Sequence, residues 1–186
     1  MNGLFEAAGE VGAFLTERAW EYCIIGGLAV ARWGEPRATL GADMTLLTAW
    51  GSEEEYVDVL LERFESRIPE ARAFALSRRV LLLRAGNGSD VDIALGALPF
   101  EAEMVRRATP VAFAPGLTLP CCTAEDLFIM KTFAGRPRDW LDAEGVAARQ
   151  PRLDREYILK HLGALCALKE APDLLERARR LLEERQ

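Results

Sequence analysis

The stretch Tyr22 to Thr48, YCIIGGLAVARWGEPRATLGADMTLLT, limits the fold most, because it changes conformation repeatedly within a short span. The apolar run Tyr22 to Ile25 reads as a buried strand and Gly26-Gly27 as a turn. A short helix continues through Trp33, Gly34-Glu35-Pro36 breaks it, and a second strand follows with one acidic residue, Asp43. Such a unit sets a glycine turn and a carboxylate side by side at the end of a sheet. Both are tools for holding a phosphorylated ligand and its metal. Side chains alternate along a strand, so position 41 faces the same way as Asp43. It is glycine where a second carboxylate would be expected.

At 186 residues the chain suits one domain or one domain with a helical appendage. Half its residues are apolar and 28% are charged, which excludes a disordered chain, and a net charge of −6 disfavours a broad nucleic-acid-coating surface. Glu6 and Glu10 near the start argue against a signal peptide. The longest uncharged stretch, Ala108 to Ala124, holds three prolines and is no spanning helix. The expectation is a soluble, cytoplasmic protein with no membrane partner. Cys23, Cys121, Cys122 and Cys166 lack metal-binding spacing and suit reduced thiols.

Leu4, Ala8, Val11 and Leu15 recur at helical spacing, predicting a helix over 3–19. Ser52 followed by Glu55 reads as a capping box opening a helix to about Ser66. A strand-rich block follows: Arg72 to Leu76, Val80 to Arg84, a turn at Gly86-Asn87-Gly88-Ser89, and Val91 to Leu95. Asn-Gly between apolar runs signals a hairpin. Alternation then sets Asp90 and Asp92 on one face, opposite Val91 and Ile93. A short helix over 99–108 and minor strands at 111–114 and 117–121 lead to Thr123, which caps a helix to about Gly135. Helices over 138–149, 154–169 and 172–185 complete a division into an α/β domain, 1–122, and a helical region, 123–186.

Gly26-Gly27, Arg37-x-Thr39, the acidic position 43 and Val91-Asp92-Ile93 occur in an order that resembles the nucleotidyltransferase superfamily. So does the later run from Ala124 to Lys131 with Ala134 to Asp139 and Asp142. More narrowly, the chain is similar to the minimal nucleotidyltransferases and the AbiEii-type abortive-infection toxins. It implies an α/β (α+β) fold, a nucleotidyltransferase-like mixed sheet with flanking helices followed by a C-terminal helical bundle. It also implies transfer of a nucleoside monophosphate from a nucleoside triphosphate to an RNA, protein or small-molecule acceptor. Mg²⁺ or Mn²⁺ would be held by strand carboxylates, and an antitoxin would be the partner. Asp43 and Asp92 become the catalytic, metal-holding carboxylates. Gly26, Gly27, Arg37, Thr39, Lys131 and Arg136 become the nucleotide contacts.

The resemblance places the family's first carboxylate at Gly41. Losing one well-placed electrostatic group from an active site lowers the rate by about 10² to 10³. Asp90, on the face of Asp92, and Glu35, in the turn before the second strand, are the candidates to replace it, with Asp90 the candidate third metal ligand. The other reading is a homologue that lost catalysis at Gly41 and serves as a nucleotide- or protein-binding module. The single histidine, His161, rules out a histidine-cluster metal site.

Overall fold

The computed structural model describes residues 2–184, and two units emerge from it. The first comprises Met1–Leu28 with Ala38–Cys122, the second Ala29–Arg37 with Thr123–Gln186. Helix α1 (Asn2–Glu17) precedes β1 (Tyr22–Ile25), α2 (Gly26–Trp33) and β2 (Gly41–Leu47). Then come α3 (Glu53–Arg63), β3 (Glu65–Ser66), α4 (Ala71–Arg78), β4 (Val80–Arg84) and β5 (Asp90–Gly96). Helix α5 (Pro99–Arg107) and the strands β6 (Thr109–Ala114) and β7 (Leu117–Cys121) complete the first unit.

The seven strands form one mixed sheet in the order β3-β4-β5-β2-β1-β7-β6. At its centre β2 runs parallel to β5 and antiparallel to β1, and β4 and β5 form the antiparallel hairpin read from Asn87-Gly88. Gly88 takes φ +80°, which the turn needs and glycine adopts without strain. One sheet face is fully apolar: Ala42, Met44 and Leu46 of β2, Val91, Ile93 and Leu95 of β5, and Leu81 and Leu83 of β4 are all at most 2% exposed. Helix α1 packs on β2, β5 and β7, its Gly12 lying against Tyr22 and Leu119. Its buried residues Ala7, Ala8, Val11 and Leu15 have the spacing predicted for a helix laid on a sheet. The opposite face carries Asp43, Thr45, Asp90 and Asp92.

Three local readings change. Residues 72–76 belong to α4, not to a strand. The alternation of Phe74 and Leu76 with alanines imitated a period of two, but Ala71 and Ala75, four apart, are the buried pair, and Ala, Arg and Leu favour helix. Ser52 does not cap α3 through its side chain; its backbone (φ −113°, ψ 3°) is not extended as such a cap requires. The strands expected to be minor, β6 and β7, are full members of the sheet, and β7 joins β1 in parallel through Ile24 and Cys121.

The second unit contains α6 (Ala124–Ala134), α7 (Pro137–Arg149), α8 (Arg155–Lys169) and α9 (Pro172–Glu183). The last residue expected in the final helix, 185, lies outside the described residues. Thr123 caps α6 reciprocally: its hydroxyl accepts from the Asp126 N–H at 3.3 Å and donates to Asp126 Oδ2 at 2.9 Å. Gly135, at φ +72°, ends that helix. The Tyr157 hydroxyl donates to the buried Asp126 Oδ1 at 2.7 Å, tying α8 to α6, and the His161 ring packs tilted against the Tyr157 ring. All four cysteines are buried thiols, and among the described residues no helix is long and apolar enough to cross a membrane.

The two caps make opposite predictions. Thr123→Ala should cost about 1 kcal/mol of stability in urea denaturation, whereas Ser52→Ala, which removes no cap bond, should leave the midpoint within experimental error.

Candidate active site

The parallel ladder between β2 and β5 pairs Asp43 with Asp92 and Gly41 with Asp90. Residues paired this way project from the same face, so both aspartates of β5 stand beside β2's polar edge. Asp92 also pairs with Leu82 of β4, and the Arg67 N–H donates to the Leu82 carbonyl at 3.0 Å. Arg67, Leu82, Asp92 and Asp43 thus form one row across the sheet. The neighbouring row runs Glu65, Arg84, Asp90, Gly41.

Arg67 reaches along its row to both acids: Nη1 donates to Asp90 Oδ2 at 2.8 Å and Nη2 donates to Asp92 Oδ1. Arg84 lies 3.8 Å from the other Asp90 oxygen. Burial pushes the Asp92 carboxyl above the ordinary carboxylate range; Arg67 pulls it back and neighbouring Asp90 pushes it up again. Arg67 was not among the sequence candidates. Its only sequence signal is an arginine directly after a two-residue strand, and that strand was not read.

The turn shows why glycine stands at 26 and 27. Gly26 adopts φ +60°, and a Cβ there would lie 2.1 Å from Asp43 Oδ2; a Cβ on Gly27 would lie 2.3 Å from Thr39 Oγ1. The two glycines therefore admit the Asp43 carboxylate and the Thr39 hydroxyl. The Gly27 N–H donates to Asp43 Oδ2 at 3.3 Å, and Thr39 Oγ1 donates to the Gly41 carbonyl at 3.2 Å. Gly26, Gly27, Thr39, Asp43, Asp90 and Asp92 are thus gathered around the central strands β2 and β5. At position 41 a Cβ would come within 3.1 Å of the Asp90 carbonyl oxygen and 3.4 Å of its Cβ. Asp90 consequently occupies the neighbourhood in which an aspartate at 41 would stand.

The donor set can be weighed against the expected metal. Among the described residues no three acidic, histidine or cysteine side chains are grouped closely enough to hold an ion by themselves. A pair of half-buried neighbouring carboxylates, Asp43 and Asp92, suits a single hard cation that takes its remaining ligands from water and phosphate oxygens, as magnesium commonly does. The set does not suit two ions held by the protein.

Arg37, Lys131 and Arg136 come together in the second unit around Asp139 and Asp142. Lys131 is 9% exposed, and its Nζ lies 3.1 Å from Asp139 Oδ1 and 2.9 Å from Asp142 Oδ2. Arg37 clasps Asp142 through Nε and Nη2 at 2.7 and 2.8 Å, and Arg136 Nε donates to Asp139 Oδ2 at 2.5 Å. Burial opposes ionising both carboxyls. The hydrogen bonds from Arg136 and Lys131 outweigh it at Asp139, and those from Arg37 and Lys131 at Asp142, so both lie below the ordinary range. Glu35 lies in the same unit, 3.6 Å from Arg149.

No family model matches this chain, nor does any curated protein. Among solved structures the chain is similar to an antigenic nucleotidyltransferase-like protein from Paracoccidioides brasiliensis. The identity is 16% and the TM-score 0.57, over 95% of this chain and 92% of that one. Two structures of the antibiotic-resistance factor ANT(2″)-Ia align over 99% and 97% of this chain and 93% and 98% of theirs. One is a solution structure and the other a complex with adenylyl-2″-tobramycin; identities are 17% and 15%, TM-scores 0.47 and 0.48. The first likeness establishes the fold as nucleotidyltransferase-like, a mixed α/β sheet followed by C-terminal helices.

Gly26→Ala should destabilise the protein by about 2 kcal/mol or more, since a left-handed backbone costs an L-residue roughly 1–2 kcal/mol and the new methyl also meets Asp43. Gly51→Ala, at φ +82° in open space, should show the backbone cost alone, and urea denaturation separates the two. The depressed carboxyls predict a pH effect. Their stabilisation is complete above the unfolded aspartate pKa of about 3.9 and is lost as pH falls through the lower folded values. Acid unfolding curves of Asp142→Asn should therefore differ from the parent most at neutral pH and converge with it as pH falls through the depressed folded value.

Proposed function

We propose that this protein is a nucleotidyltransferase that moves a nucleoside monophosphate from a nucleoside triphosphate to an RNA, protein or small-molecule acceptor. The observation that supports it is the register of Asp43 with Asp92 beside the Gly26 turn, on the polar face of the sheet. These two carboxylates would hold a Mg²⁺ or Mn²⁺ ion delivered with the triphosphate. Such an ion neutralises phosphate charge and orients the transferred group.

The chain's own contribution is positional. The Gly27 N–H fixes the Asp43 carboxylate, and Thr39 fixes the strand entry at Gly41. The carboxylate absent at 41 has its counterpart on the next strand as Asp90. Arg37, Lys131 and Arg136, set against Asp139 and Asp142, form a cluster with one surplus positive charge. Arg136, with 75% of its side chain exposed, is the member of that cluster most open to solvent. The sequence resemblance to abortive-infection toxins supports reading it as a toxin restrained by an antitoxin in the cytoplasm.

A second reading, a nucleotide- or protein-binding module without catalysis, is favoured by one observation: Arg67 already engages the acids that would hold the ion. Purified protein given each labelled triphosphate, Mg²⁺ or Mn²⁺ and total cellular RNA decides between them. Transfer of label, reduced about 10²- to 10³-fold in Asp43→Asn and Asp92→Asn, is the expected result. Nucleotide binding without transfer from any triphosphate establishes the second reading instead.

A further inference from the structure

Asp90 and Asp92 lie two residues apart on one strand face, so like charges face each other at close range. Arg67 answers both, but in a geometry unlike that of Arg37 with Asp142. Arg37 sets Nε and Nη2 side-on against a single carboxylate, the fork that guanidinium prefers. Arg67 is splayed over two acids, one from each terminal nitrogen, and its Nε is buried with no hydrogen-bond partner. Leaving a buried donor unsatisfied is unfavourable. The splayed geometry is accounted for by the demand of two adjacent carboxylates for one counter-charge.

The acids remain reachable, with 35% of the Asp90 side chain and 40% of the Asp92 side chain exposed. Arg67 approaches Asp92 from the β4 side of the row, while Asp43 flanks it on the β2 side. An ion entering between Asp43 and Asp92 meets a carboxylate already engaged by a guanidinium.

We propose that Arg67 is a built-in counter-cation for Asp90 and Asp92 that a divalent ion must displace, so that Arg67 sets the ion affinity of the site. The inference rests on Asp43 and Asp92 being the ion-holding pair. Two partly exposed charge-assisted bonds are lost on displacement, and the released guanidinium still repels the ion. Removing Arg67 should therefore tighten ion binding about 5- to 30-fold.

The test is Mn²⁺ binding to the full chain without nucleotide, read from the electron paramagnetic resonance signal of free Mn²⁺. Arg67→Met, which keeps an aliphatic stem, should bind 5- to 30-fold more tightly than the parent. Arg67→Lys, whose single ammonium cannot span both acids, should fall between them. Equal or weaker binding by the Met variant overturns the proposal, as does failure of both proteins to bind millimolar Mn²⁺. Should the Met variant not fold, the parent decides alone. Its Arg67 Nε–Hε resonance, assigned by its loss in Arg67→Lys, must shift as Mg²⁺ is added, and a resonance unmoved at saturation overturns the proposal. Label transfer enters none of these readouts. A protein that gains Mn²⁺ affinity without Arg67 yet transfers nothing keeps this inference and loses the enzymatic reading. One that transfers label with unchanged Mn²⁺ affinity does the reverse.

Discussion

The pairing register between β2 and β5 is the constraint from which the candidate site follows. A strand repeats every two residues, so a slip of one would turn Asp43 into the core and Met44 towards solvent. Met44, Leu46, Val91, Ile93 and Leu95 hold the register, each at most 2% exposed. Burial of such side chains is worth roughly 1.5–3 kcal/mol apiece, and a slip that exposed them together would rival the ~5–15 kcal/mol net stability of a whole domain. The juxtaposition of Asp43 with Asp92 is therefore enforced by the apolar face behind it, not by any attraction between two carboxylates that repel each other.

That repulsion explains the rest of the polar face. Three acids, Asp43, Asp90 and Asp92, occupy two adjacent rows, and each has a donor directed at it: the Gly27 N–H at Asp43, and Arg67 at the other two. Glycine at 41 belongs to the same balance. An aspartate there would add a fourth negative charge next to Asp90, with its Cβ only 3.4 Å from the Asp90 Cβ. The site carries its carboxylates in a different distribution from the one the family resemblance implies, two on β5 and one on β2.

The sheet's centre was readable because its signals are local. The glycine turn, the Asn87-Gly88 hairpin and strict alternation around Asp43 and Asp92 each lie within a few residues, and Thr123 with Asp126 marks a helix start in the same way. What escaped depends on partners distant along the chain. Whether Ala71 to Leu76 is a strand or a helix is settled by which face meets neighbouring elements, and a short alanine-rich run is compatible with both periods. Arg67 reaches Asp92 over an intervening strand, so its role depends on the order β3-β4-β5, which no local pattern encodes. The glycine pair was readable as a turn, but its reason was not: Asp43, 17 positions beyond Gly26, and Thr39, 12 beyond Gly27, fill the space a side chain would take.

The two arginine arrangements show how one residue type serves two physical purposes. Arg37 meets Asp142 in a complete fork beside the buried Lys131, where removing either partner strands a charge in a poorly solvated place. Such a pair resists exchange, because any competing ion would have to be desolvated to reach Asp142, whose side chain is only 4% exposed. Arg67 faces acids that are more than a third exposed and leaves its own Nε unsatisfied. Displacing it requires less desolvation of the incoming ion than at Asp142 and frees the guanidinium. Exposure and hydrogen-bond completeness, rather than the count of ion pairs, thus separate the charges that hold this fold together from those available to a ligand.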